Sequence, residues 1–292
     1  MRRNSRLVAA SAFLGSVATL SLILTPALAQ APQGRGGFGG VQSTDPRVES
    51  RTCRFADTNE ERPYCLFVSS KVSAGRENPL IVSLHGLGIG PGFMCRGAAL
   101  DLDEEGGYIL VAPMGYNTGG WYGSPAMSFN GRGGRGRGGA APEAAPPPEN
   151  LAELSEKDVL NVLAMIREEF NDDDDRTYLM GHSMGGAGAF FLGSKHVDEW
   201  AAIAPIAPAA MLMNDNRGMI LQRIKDDDVP VHLVVGDEDG LMATADLWAE
   251  TMEELGLEHE YRIIAGADRG SVIDQGMPEI FAFFEQHARS GR

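Results

Sequence analysis

Five residues, Gly181-His182-Ser183-Met184-Gly185, set the tightest limit on how this chain folds. Before them runs the apolar segment Arg176-Thr177-Tyr178-Leu179-Met180, which reads as a strand, and after them Gly186 to Leu192, which reads as a helix. Turning from strand to helix in so few residues strains the backbone of the central serine and presents its hydroxyl at the corner. Small residues two positions to either side let the strand and helix approach. The same pattern is common by chance in loops; between a strand and a glycine-rich helix start it marks a nucleophile.

Around this corner the chain alternates between strand and helix. Leu80–Leu84, Tyr108–Ala112, Ala201–Ala204, Val231–Val235 and Tyr261–Ile264 read as strands. Ser155 with Asp158 forms a capping box ahead of a helix with Val159, Leu160, Leu163, Ile166 and Phe170 on its apolar face. Further helices are expected near Ala243–Leu255 and Met277–His287. This alternation predicts an α/β fold with a parallel-dominated sheet covered on both faces.

Residues 1–29 have the form of an export signal. Arg2, Arg3 and Arg6 make a basic start, Leu7–Leu24 an apolar stretch, and Ala27-Leu28-Ala29 a cleavage site. An uncleaved anchor is the alternative, since eighteen such residues just span a bilayer; Pro26 and the small-residue site favour cleavage. The mature protein is then secreted or periplasmic, with no stable membrane insertion. Losing three arginines and no acid takes the net charge from −15 to about −18. A chain so acidic repels nucleic acid backbones. Residues 30–48 read as a Gly-rich leader and 49–292 as one domain. That domain is interrupted at 131–150 by a Gly/Arg- then Ala/Pro-rich insertion, a solvated surface loop. In an oxidising compartment Cys53 and Cys65 are placed to bridge the arms of an N-terminal hairpin, leaving Cys95 a buried thiol. No cofactor or metal pattern is present; the run Asp172–Asp175 lacks full calcium-ligand spacing.

Acyl transfer by serine needs a nucleophile, a base, an acid that orients the base, and amides for the oxyanion. Ser183 is the nucleophile and Met184 supplies one amide. The second amide is assigned to Leu87 in the loop His85-Gly86-Leu87-Gly88, with Gly86 as the near alternative. Asp237 and Asp239, after the strand Val231–Val235, both fit the acid chemically.

Together these motifs resemble secreted α/β-hydrolases, in particular the polyhydroxybutyrate-depolymerase and feruloyl-esterase-like carboxylesterases. Ala112-Pro113-Met114-Gly115-Tyr116-Asn117 and Gly120-Trp121-Tyr122-Gly123 add to the likeness, which runs from about Tyr64 to the C-terminus apart from the insertion. The resemblance implies the α/β-hydrolase fold and hydrolysis of a small-molecule or polymer ester. It favours Asp239 over Asp237, and it implies that Trp121 and Tyr122 line the acyl or alcohol pocket. It also places a histidine in a Gly-x-x-His-Gly turn after the last strand, where this chain has Gly266-Ala267-Asp268-Arg269-Gly270. A guanidinium cannot accept the serine proton. None of the six histidines lies in the loop expected to face Ser183, with His287 the least remote. The expectation is a serine esterase impaired at its base. A non-catalytic binding protein using Arg269 to hold an anion is the alternative, and a peptidase similar to the prolyl oligopeptidases ranks below both.

Overall fold

The strand segments are almost unbroken apolar runs, and such strands are stable only when both faces are covered. The computed structural model describes residues 43–126 and 147–289, all within the unit Gly37–Arg292. The expected export signal, and most of the leader and of the insertion, lie outside the described residues. Among the described residues, eight strands form one sheet: β1 (Glu49–Phe55), β2 (Glu60–Val68), β3 (Asn78–Leu84), β4 (Ile109–Pro113), β5 (Asp172–His182), β6 (Ala202–Ile206), β7 (Val231–Gly236) and β8 (His259–Ile264). Their order is β1-β2-β4-β3-β5-β6-β7-β8. β1 and β2 are antiparallel to their neighbours, and β3 through β8 are parallel. Strands β3, β4, β6 and β7 are buried throughout. The edge strands β1 and β8 carry exposed charged residues, which discourages pairing with other chains.

Six α-helices of the described residues cover the sheet: α1 (Ala98–Gly106), α2 (Leu151–Glu169), α3 (Met184–Lys195), α4 (Arg217–Asp226), α5 (Met242–Leu255) and α6 (Ser271–Gln286). α1 packs on α6, while α3, α4 and α5 pack in succession. Stacked Phe190 and Trp248 tie α3 to α5, and stacked Tyr178 and Phe284 tie β5 to α6. This is the mostly parallel, helix-covered sheet that the alternation predicts.

Two expectations are corrected. The disulfide joins Cys65 to Cys95, with Cα atoms 6.6 Å apart, and Cys53 is the free, buried thiol. The hairpin register explains this: Cys65 lies opposite Ser50, while Cys53 lies opposite Arg62. Nor do Ser155 and Asp158 cap a helix. α2 begins at Leu151 and both residues sit inside it, buried.

Candidate active site

The corner after β5 adopts the strained conformation its sequence demands. Ser183 has φ 61° and ψ −112°, a region that side chains other than glycine avoid. Its amide donates to the carbonyl of Ile206 on β6, and its carbonyl accepts from the amides of Ala187 and Ala209. Both glycines of the motif are required. A Cβ on Gly185 would stand 2.2 Å from the Leu84 carbonyl oxygen, and one on Gly181 2.3 Å from that of Gly185.

The end of β3 brings the second loop alongside. A Cβ on Gly86 would lie 3.3 Å from His182 Nδ1 and 3.5 Å from Ser183 Cβ, so this loop rests on the corner. The amides of Gly88 and Ile89 donate to Thr118 and Gly86 carbonyls, whereas that of Leu87 has no backbone acceptor among the described residues. Met184 opens α3, and a first-turn amide has no partner within its helix. His85 braces the loop from inside: its ring nitrogens meet the Gly86 and Met114 carbonyls, and burial lowers its basicity.

Tyr122 is fully enclosed and Trp121 nearly so. The Tyr122 hydroxyl accepts the His85 amide at 3.0 Å. Its ring packs where a Cβ on Gly188 of α3 would stand. A pocket-lining role for Tyr122 is therefore corrected to a bracing one: a ring with no exposed surface cannot meet a ligand. Sequence reading also missed what holds this turn. Ser155 Oγ accepts the Tyr122 amide and donates to the Gly115 carbonyl, and Asp158 Oδ2 accepts the Tyr116 amide.

The third loop separates the two candidate acids. Asp237 Oδ1 accepts the Gly266 amide at 2.7 Å and holds the turn. Asp239 has no exposed side-chain surface, and its Oδ1 accepts from the Leu241 amide and from Arg269 Nη1 at 3.1 Å. Arg269 Nη2 donates to Ser183 Oγ at 2.5 Å. The guanidinium thus spans the candidate nucleophile and the candidate acid, the position that an imidazole fills in a serine triad.

His182 points beneath the corner. Its Nε2–H donates to the Arg269 carbonyl at 2.8 Å, so the motif histidine holds the backbone of the loop that carries the arginine. Burial, then the Arg269 charge, pushes its pKa down to about 4, which keeps the ring neutral. The other histidines are engaged elsewhere. His196 meets Glu156, His232 lies 3.1 Å from Glu260, His259 bonds the Leu257 carbonyl, and His287 bonds that of Phe283. None of these contacts reaches Ser183.

The sheet order and the serine corner define an α/β-hydrolase-fold protein. The Esterase family model matches residues 58–269, ending on the arginine that faces Ser183. This chain belongs to that family. Among solved structures it is similar to a ferulic acid esterase, at 17% identity and TM-score 0.62, covering 82% of this chain and 98% of that one. An S-formylglutathione hydrolase from Agrobacterium tumefaciens is similar at 15% identity and TM-score 0.63, over 82% and 95% of the two chains. The Staphylococcus aureus fluorophosphonate-binding serine hydrolase FphF is similar at 13% identity and TM-score 0.62, over 81% and 97%. No curated protein matches the sequence.

Proposed function

We propose that this chain is an exported ester hydrolase in which Ser183 forms the acyl-enzyme and Arg269, in place of the general base, leaves turnover slow. The observation that carries the reading is the guanidinium spanning Ser183 Oγ and Asp239 Oδ1. Arg269 keeps its proton, so the Ser183 proton passes to water as Oγ attacks the ester carbonyl. The Nη2–H donated to Oγ favours the alkoxide that forms as this proton leaves. The tetrahedral oxyanion meets the amides of Met184 and Leu87. Its collapse expels the alcohol, which takes a proton from water, and a second water hydrolyses the acyl-serine. Export rests on the Arg2–Ala29 pattern and is supported by the Cys65–Cys95 disulfide, since such bonds persist in oxidising compartments. The substrate is a small-molecule or polymer ester.

Two measurements test this. A fluorophosphonate probe should label Ser183 slowly, and Arg269→His should raise kcat/KM for short p-nitrophenyl esters by about 10²–10⁴-fold, the range general-base catalysis supplies. An unlabelled serine, or a rate unmoved by the substitution, sinks the reading. The Arg269 side chain is 41% exposed despite its two partners. That favours a second reading, in which the site holds an anion without turning it over; binding of a carboxylate with no hydrolysis of any ester would select it.

A further inference from the structure

The loop that supplies the Leu87 amide runs straight into a short turn, Pro91–Phe93, and then to Arg96. The Phe93 ring lies 6.3 Å from the ring of His182, the residue preceding the nucleophile. The Arg96 guanidinium sits over that same Phe93 ring, 3.9 Å from its centroid. Together these separations put the Arg96 charge no more than about 10 Å from the His182 imidazole, whose Nε2 touches the Arg269 backbone. At physiological salt, screening sets in over a similar distance, so His182 feels the Arg96 charge as well as that of Arg269.

Arg96 is exposed and makes no ion pair among the described residues. The Asp274 carboxylate rests against Gly97, the next residue, without pairing with Arg96. Arg269 gives one edge to Asp239 and keeps part of its surface in solvent. In a chain of net charge −15, two guanidinia that both act on His182, the neighbour of Ser183, stand against the background. Arg96 is also held in place. Cys95 before it is bonded to Cys65 on β2, Gly97 after it takes φ 61°, and its own side chain stacks on Phe93. A cation fixed before the ligand arrives loses less freedom on binding than a solvated one.

We infer that the Ser183 site takes an ester bearing an anionic group, and that Arg96 and Arg269 recognise that group together. The ester part rests on the function proposed above; the anion part rests on Arg96. Carboxylate and phosphate both suit a guanidinium pair, and the test separates them.

Binding of benzoate, phenyl phosphate and neutral benzamide to the full chain is measured by calorimetry, which needs no turnover. The expected result is that at least one anion binds about tenfold or more tighter than benzamide. Arg96→Gln should weaken that anion about tenfold and leave benzamide unchanged, while Arg96→Lys should restore most of the difference. The anion that shows this dependence identifies the recognised group. Benzamide binding as well as both anions, no binding of either anion, or equal anion affinity in Arg96→Gln and wild type would overturn the inference. Ester chemistry is read apart from this, by fluorophosphonate labelling. Anion selectivity without labelling removes the esterase and leaves the Arg96 site. Labelling without anion selectivity does the reverse.

Discussion

Ser183 holds a conformation that costs a non-glycine residue about 1–3 kcal/mol, and the residues around it offset that strain. His182 is the least obvious of these. Its role could not be read from the sequence, because a bond between residues 182 and 269 exists only once β5 and the loop after β8 are adjacent. Arg269, by contrast, lies in a turn that resembles a histidine-bearing one, and it is the resemblance that singles it out. The buried His182 ring has a measurable consequence. Its pKa falls from 6.5 to about 4 on folding, so between these values the unfolded chain binds more protons. The stability this ring contributes is complete above pH 6.5 and is lost as pH falls toward 4. At pH 4.5 wild type should have lost roughly 2–3 kcal/mol through this group alone. His182→Gln keeps a donor toward Arg269 but cannot titrate. Urea unfolding at pH 7.5 and 4.5 should show a smaller acid loss in the variant, by about that amount; parallel losses would show that the ring is not the sensor.

Elements were legible where pattern alone decides them and illegible where the partner does. A serine three residues before an acid signals a helix start, but the same pair also serves a buried helix interior that supports a loop. In α2 it does the second: Ser155 satisfies both the Tyr122 amide and the Gly115 carbonyl. Ser155→Ala strands the buried Tyr122 amide and leaves the Gly115 carbonyl with the Asn117 amide alone, and should cost about 1–3 kcal/mol in urea unfolding; a neutral effect would mean that the turn relaxes. The cysteines make the same point, because pairing follows strand register rather than sequence distance. Cys65 and Cys95 are separated by 30 positions, and closing a loop of that size is worth roughly 3–4 kcal/mol through the unfolded state. Cys95→Ser should lower the melting temperature accordingly, and reductant should lower that of wild type but not of the variant. Since Cys95 adjoins Arg96, the same variant should also loosen the cation over Phe93.

Across the whole molecule, the alternation of buried strands and helices was enough to specify the parallel core. α4 is short and largely polar, but its Ile220, Leu221 and Ile224 stand at helical spacing, and it packs on α3 and α5 with Leu221 and Ile224 buried. The same core that folds the chain also encloses titratable groups of both kinds, with opposite effects on pH stability. Burial lowers the histidines His85, His182 and His232 and raises the carboxyls Asp103, Asp158 and Asp172. Asp103 is the clearest carboxyl. It is wholly enclosed in α1, both side-chain oxygens lack a partner among the described residues, and desolvation alone holds it well above the ordinary carboxylate range. Its folded pKa exceeds its unfolded one, so the folded chain binds the extra proton. Its contribution is therefore greatest in acid and is lost as pH rises from the unfolded value through the folded one, opposite in sign to His182. Asp103→Asn has nearly the same shape and no proton to hold. The variant and wild type should melt at similar temperatures near pH 4, and the variant should become progressively the more stable toward pH 7.5. A gap that stays constant with pH would mean that Asp103 is charged and compensated in the folded chain.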